Sequence, residues 1–452
     1  MMHKVLLINP WIYDFAAYDF WNKPIGLLYL ASLLRMNGAD VFFIDCLDPY
    51  HPDLHCERPN LMPKRKTSGE GTYCRQLIPR PDPLKDIPRN YHRYGITPDI
   101  FLKSVKSMPV PDIVMITSMM TYWYPAVFAV VRLVHQTFPG VPVVLGGNYV
   151  TLCQEHALGS GAEFTLAGPA EQSIPMLLKG LYNQDIRFLP DHNNLDSYPY
   201  PAFDLIRHPD QVPIMASRGC PYRCSYCASY LINDRFWRRD PIRVADEIEH
   251  WHTRLDIRHF SFYDDALLID PDDMAIPLLK ELIRRNLPIG FHCPNGLHLR
   301  DITPELGNLM FKAGFKTIRF GFETSDGLRQ TSTGGKVDNQ ELIDAVVHLT
   351  RAGYRNDEIG VYLLCGLPGQ SAEEVMESIR FVRSCGARPI IAEYSPIPGT
   401  GLWKEALDSS PYPIALEPLF QNNSLLPCRN DSLTYEMYQA LKLMCQTPDP
   451  DL

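Results

Sequence analysis

Ser217-Arg218-Gly219-Cys220-Pro221-Tyr222-Arg223-Cys224-Ser225-Tyr226-Cys227 decides how the rest of this chain is read. Three of the twelve cysteines stand there at CxxxCxxC spacing, directly after residues 212–217, which read as a strand. Thiols on a loop at a strand end can converge on one metal centre. Iron–sulfur clusters take cysteine thiolates, usually four, so Cys220, Cys224 and Cys227 leave one iron without a protein ligand. An open position marks a catalytic rather than a closed structural metal site. The competing reading is a zinc site of three cysteines and one histidine, but no histidine follows at the usual spacing.

Working outward from the trio, further strands are expected at 258–262, 289–293, 317–320, 359–364 and 389–394. Helices are expected between them, at 241–251, 271–285, 304–313, 339–352 and 372–385. Six strands with five helices make a partial (β/α)6 barrel, whose active site lies at the carboxyl ends of its strands. Upstream, strands at 4–9, 40–45, 112–118, 141–145 and 163–166 alternate with helices at 26–37, 124–138 and 170–182. Short apolar strands alternating with helices imply a doubly wound parallel sheet covered on both faces. The fold class is therefore α/β. A first domain spans 1–183 with an insertion at about 49–96, a proline-rich linker 184–211, the barrel 212–400 and a C-terminal extension 401–452.

Composition sets outer bounds. A chain of 452 residues with 45% hydrophobic and 21% charged residues belongs to the globular class. The net charge of −9 argues against a nucleic-acid partner, and no apolar run approaches the ~18 residues of a membrane span. The expected location is the cytoplasm. The cysteine content is too sparse for a disulfide scaffold. Within the insertion, His51, His55, Cys56 and Cys74 fit no compact ligand pattern, so an ordered surface insertion or a substrate-facing loop is expected. Cys293 and Cys365 sit near barrel strand ends, where a hydrogen-atom donor or covalent anchor would stand. Cysteine is also a common small core residue, and that reading is preferred.

The trio, with the aromatic Tyr226 just before its last cysteine, resembles the signature of the radical S-adenosylmethionine (SAM) superfamily. Downstream segments match that family in order: Phe262-Tyr263-Asp264-Asp265, Asn295-Gly296, Gly321-Phe322-Glu323-Thr324, Gly366-Leu367-Pro368-Gly369 and Pro398-Gly399-Thr400. The resemblance implies an oxygen-sensitive 4Fe–4S cluster whose open iron binds SAM. It also implies reductive cleavage of SAM to methionine and a 5′-deoxyadenosyl radical. A low-potential donor such as flavodoxin or ferredoxin would supply the electron. Tyr226 and Glu323 would reach the cofactor and Gly366 would stand near its adenine. Asp264 or Asp265 would meet its amino group.

A doubly wound domain ahead of such a barrel resembles the cobalamin-binding class of the same superfamily. The matching pieces are Asn9-Pro10, Pro24-Ile25-Gly26-Leu27, Thr117-Ser118, Gly146-Gly147 and Thr151. The glycine pair lets a backbone approach a large ligand, and the hydroxyls would meet corrin amides or the nucleotide tail. Two departures stand out. No Asp-x-His-x-x-Gly segment supplies a lower cobalt ligand, and Gly168-Pro169-Ala170-Glu171 replaces a Gly-Glu-Gly-Glu turn. The resemblance implies cobalamin-dependent methylation of an unactivated centre. Its alternatives are radical cyclisation, rearrangement or sulfur insertion, and a non-enzymatic corrinoid carrier or redox sensor. The substrate and any catalytic acid or base are not legible.

Overall fold

A computed structural model describes residues 3–57, 63–183 and 185–447, without the side chains of 55–57. The chain divides into two units, Met1–Val212 and Pro213–Leu452.

The first unit holds β1 (Lys4–Asn9), β2 (Ile12–Asp14), β3 (Asp40–Asp45), β4 (Arg75–Ile78), β5 (Tyr91–Tyr94), β6 (Ile113–Ile116), β7 (Val143–Gly146) and β8 (Phe164–Leu166). Five of these form a parallel sheet in the order β3-β1-β6-β7-β8. Alternation along β1 explains its two covered faces. Val5 and Leu7 pack with Leu27, Leu30 and Leu34 of helix Ile25–Met36 and with Ile174 of helix Ala170–Tyr182. Leu6 and Ile8 pack oppositely, with Phe101 of helix Pro98–Lys106 and Val127 and Val130 of helix Tyr124–Thr137. The strand order reverses between β1 and β6, the place where such sheets bind ligands at their carboxyl ends.

The insertion is more ordered than its composition suggests. β2, from the segment after β1, pairs antiparallel with β5, which pairs with β4. Trp11 ties this sheet down by donating to the Ile96 carbonyl at 2.7 Å, and Arg65 forms a buried ion pair with Asp19 at 2.8 Å. Cys74 is packed in the apolar core beside Trp11 and Cys46. His51 instead lines a cavity of about 400 Å³ with Asp45, Asp48 and Arg207. The side chains of His55 and Cys56 lie outside the described residues.

Residues 185–211 do not run as a free linker. Asn37 at the end of the first helix accepts from the backbone N–H groups of Arg187 and Phe188 and donates to the Leu33 and Phe188 carbonyls. Ala202 donates to the Leu28 carbonyl at 3.0 Å. The proline-rich composition reads as extended chain, but these long-range hydrogen bonds fasten it to the helix.

The second unit carries β9 (Val212–Ile214), β10 (Ser217–Arg218), β11 (Trp237–Arg238), β12 (His259–Phe262), β13 (Gly290–His292), β14 (Phe315–Glu323), β15 (Ile359–Cys365) and β16 (Arg388–Glu393). Six of them form one sheet in the order β16-β15-β14-β13-β12-β9. Five helices alternate with these strands, Pro241–Leu255, Ala275–Arg285, Pro304–Ala313, Asn339–Ala352 and Ala372–Ser384. Aromatic side chains pack within it: Phe262, Phe291 and Phe315 have centroids 5.2 to 5.6 Å apart, and Phe322 stacks on Phe381 of helix Ala372–Ser384. Polar side chains also link neighbouring strands, with His259 bonded to His292 and His292 to Thr317, each at 3.0 Å. The C-terminal segment is built onto this barrel. Leu402, Ala406, Ile414 and Cys428 pack against Leu364, Leu367 and Tyr394. Among the described residues no helix is long and apolar enough to cross a membrane.

Asn37 is buried and satisfies three backbone groups beyond its own turn. Asn37→Ala is expected to cost about 2–3 kcal/mol. It should lower the melting temperature and make residues 185–200 more susceptible to limited proteolysis than in the wild-type chain.

Candidate active site

The cysteine loop is clamped at its backbone. Cys227 donates to the Cys224 carbonyl at 3.0 Å, Ser225 to the Thr333 carbonyl at 3.1 Å, and Leu402 to the Ser225 carbonyl at 2.7 Å. Held this way, Cys220, Cys224 and Cys227 line a cavity of about 250 Å³ at the strand ends, together with Asp265, Glu323 and Lys336. Among the described residues, no three His, Cys, Asp or Glu side chains surround a single ion-sized point. Burial pushes the Cys220 thiol up to about 11 and raises Cys224 and Cys227 as well. A bound cation is what converts such thiols to thiolates.

Glu323 organises the cavity. It ends β14 where the register against β15 shifts, and its φ of +74° is unusual for a residue with a side chain. Its Oε1 accepts from the Tyr226 hydroxyl at 2.9 Å and from Lys336 Nζ at 2.5 Å. A Cβ at Gly321 would stand 2.7 Å from both Glu323 Oε1 and Lys336 Nζ, so a side chain there would shift the ends of the ion pair. Burial pulls the Lys336 ammonium down, but the charges of Glu323 and Cys224 outweigh it and leave it raised. Burial, with Glu323, drives the Tyr226 phenol well above its ordinary range.

The two adjacent aspartates separate cleanly. Asp264 is turned away from the cavity and accepts from the Ala216 and Ser217 N–H groups and, at 2.6 Å, from the Ser217 hydroxyl. Burial lifts it to about 6 against those bonds. Asp265 lines the cavity and accepts from Ser229 Oγ at 2.5 Å; burial raises it too. Gly366 is not brought to the cavity. Its N–H donates to Gln370 Oε1, which closes the 366–370 turn on itself. Cys293 and Cys365 are buried and outside the lining. Lys336, Ser229, Tyr362 and His298 do line it and were not singled out from the sequence. The one readable signal was Gly334-Gly335-Lys336, a turn that returns the chain to the strand ends.

In the first unit, Thr117, Ser118, Gly146, Gly147 and Thr151 gather beyond β6 and β7, but mostly bond one another. Ser118 Oγ donates to the Gly146 carbonyl at 2.6 Å. Thr151 Oγ1 donates to the Gly147 carbonyl at 3.1 Å and accepts from the Gly168 N–H at 2.9 Å. Gly147 has φ +97°, and a Cβ there would lie 2.2 Å from the Ser118 carbonyl oxygen. The neighbouring backbone by itself therefore demands glycine at this position. A Cβ at Gly146 meets only the Leu166 carbonyl at 3.5 Å, and one at Gly168 meets nothing within 4 Å.

With this geometry in view, comparison with known proteins is direct. Residues 214–382 match the Radical SAM superfamily. These residues therefore form a radical SAM domain, and the cofactors of that class of domain are a 4Fe–4S cluster and SAM. Among curated relatives, "Uncharacterized methyltransferase PH0819" of Pyrococcus horikoshii is 27% identical over 328 residues, covering 66% of this chain and 70% of that protein. The "Anaerobic magnesium-protoporphyrin IX monomethyl ester cyclase" of Rubrivivax gelatinosus is 25% identical over 450 residues, covering 90% and 70%. The solved radical SAM methyltransferase TsrM from Kitasatospora setae superimposes with a TM-score of 0.65 at 16% identity, covering 90% of this chain and 76% of that one. At that identity the likeness is one of fold.

Two contrasts test these placements. Asp264→Ala strands the N–H groups of Ala216 and Ser217 and should cost about 2–3 kcal/mol, whereas Asp265→Asn should change the melting temperature little and weaken SAM binding. Gly147→Ala should destabilise by more than ~2 kcal/mol through clash and strain, while Gly146→Ala stays within ~1 kcal/mol. Thermal unfolding of the four variants checks both pairs.

Proposed function

We propose that this chain cleaves SAM reductively and uses the resulting radical in cobalamin-dependent methylation of an unactivated centre. The observation that carries the reading is the charge layout of the 250 Å³ cavity, with one ammonium, Lys336, beside two carboxylates, Glu323 and Asp265, and three thiols. That set complements a zwitterionic amino-acid moiety: Lys336 faces its carboxylate, and Asp265 and Glu323 its ammonium. Three thiols with an open fourth position fit a 4Fe–4S cluster on Cys220, Cys224 and Cys227, which supplies one-electron reduction when bound. Tyr226 keeps Glu323 oriented, and the apolar pack of Leu364, Leu367 and Leu402 behind the loop limits water.

For cobalamin, support comes from the doubly wound first unit and from the open space above Gly168 at its strand ends. Residues 117–118, 146–148 and 167–169 would border the group, which supplies methyl transfer when bound. A flavodoxin- or ferredoxin-like donor in the cytoplasm completes the proposal. A second reading, radical cyclisation without methyl transfer, draws on the Rubrivivax gelatinosus cyclase, which aligns along 90% of this chain.

The test is anaerobic turnover of the reconstituted protein with methyl-deuterated SAM, a reductant, cobalamin and a cellular metabolite extract. Methylation yields 5′-deoxyadenosine together with S-adenosylhomocysteine and a labelled product, while cyclisation yields 5′-deoxyadenosine without S-adenosylhomocysteine. The Cys220→Ala, Cys224→Ala, Cys227→Ala triple variant should hold no cluster and form no 5′-deoxyadenosine. Lys336→Met should keep its iron and lose SAM affinity at least ~10-fold, the size expected for a charged hydrogen bond. Failure of the wild type to take up cobalamin would remove the methylation reading and leave the radical chemistry standing.

A further inference from the structure

The loop after β13 is stitched to three strands. The Pro294 carbonyl accepts from the Tyr362 hydroxyl at 2.9 Å, Asn295 Nδ2 donates to the Tyr263 carbonyl at 3.0 Å, and Leu297 N donates to the Arg319 carbonyl at 2.8 Å. This places His298 in the wall of the cavity, 7% exposed, with its ring stacked on Tyr222 at 5.1 Å between centroids. Tyr222 lies between Cys220 and Cys224 and is also gripped by Arg300, two residues beyond His298, whose Nη1 stands 3.3 Å from its hydroxyl. The stack therefore explains where the imidazole sits. It does not explain why the residue is histidine, because Nδ1 is buried without any hydrogen-bond partner.

A buried nitrogen left unpaired costs about 1–3 kcal/mol. A phenylalanine would keep the stack and avoid that cost. Burial, assisted by Lys336 and Arg300, pulls the imidazole down to about 3, so it is neutral at physiological pH. A neutral imidazole offers one donor and one acceptor. It adds hydrogen bonding to the cavity without a second cation beside Lys336.

We propose that His298 is a ligand-binding residue whose imidazole hydrogen-bonds the SAM held in this cavity. The inference rests on the reading of the cavity as the SAM site.

The experiment compares wild type, His298→Phe and His298→Gln in two measurements. One is the melting temperature of the cluster-free chain. The other is equilibrium SAM binding to the reconstituted protein, with iron content determined alongside. His298→Phe should melt at or above the wild-type temperature and keep its iron, yet bind SAM roughly 10-fold or more weakly. His298→Gln, which restores a donor and an acceptor, should recover most of that affinity. Wild-type affinity in His298→Phe would overturn the proposal, and would assign the orphan nitrogen to another ligand if the melting temperature had risen. Loss of iron, or a lower melting temperature with unchanged affinity, would show a structural role for the loop and overturn it equally. Wild-type protein that carries its cluster but binds no SAM would remove the underlying reading of the cavity as well.

Discussion

The carboxylate of Glu323 accepts at once from Tyr226 of the cysteine loop and from Lys336 of the segment that returns after β14. Three separate pieces of chain meet on that one oxygen. Buried charge is tolerated only when paired and hydrogen-bonded, so the contact holds the loop, the strand end and the returning segment in one arrangement. The contact is made from a left-handed backbone at Glu323, and the ion pair lies over Gly321. The loop that carries the three thiols is fastened as well by its backbone and by the contacts of Tyr222 with His298 and Arg300.

The same cavity divides labour between neighbours of identical chemistry. Asp264 spends its oxygens on the backbone that leads into the cysteine loop, and Asp265 points to the space beside the thiols. The first sets where the loop starts, and the second adds charge to the lining. A parallel economy governs the first unit. There the hydroxyls of Ser118 and Thr151 stitch the turns after β6, β7 and β8 to one another. A ligand at that edge would meet backbone and the open space over Gly168 more than the hydroxyls of Ser118 and Thr151.

The strands and helices of both units were legible because burial imposes a period. β1, β3 and helix Ala170–Tyr182 fall at the residues their apolar patterns indicate. The antiparallel β2-β5-β4 sheet was not legible: its strands are three or four residues long and rich in Arg, His and Tyr. The β2–β5 pairing joins residues some eighty positions apart, and no local pattern announces it. The segment 185–211 misread as linker for the same reason, since its order comes from Asn37 and Leu28, far away in sequence.

The sequence by itself determined the three thiols, their spacing and their position at the end of a barrel strand, because metal ligation depends on residue type and short-range spacing. The resemblance of Gly321-Phe322-Glu323-Thr324 to a family motif singled out Glu323, and that residue does line the cavity. Only the tertiary structure decided which of Asp264 and Asp265 faces the cavity, that Gly147 serves its neighbour's backbone, and that Gly366 stays out. It alone brought Lys336 and His298 to the thiols. Orientation and long-range juxtaposition come from how strands, loops and turns close on one another, and a linear string carries no record of that closure until the chain has folded.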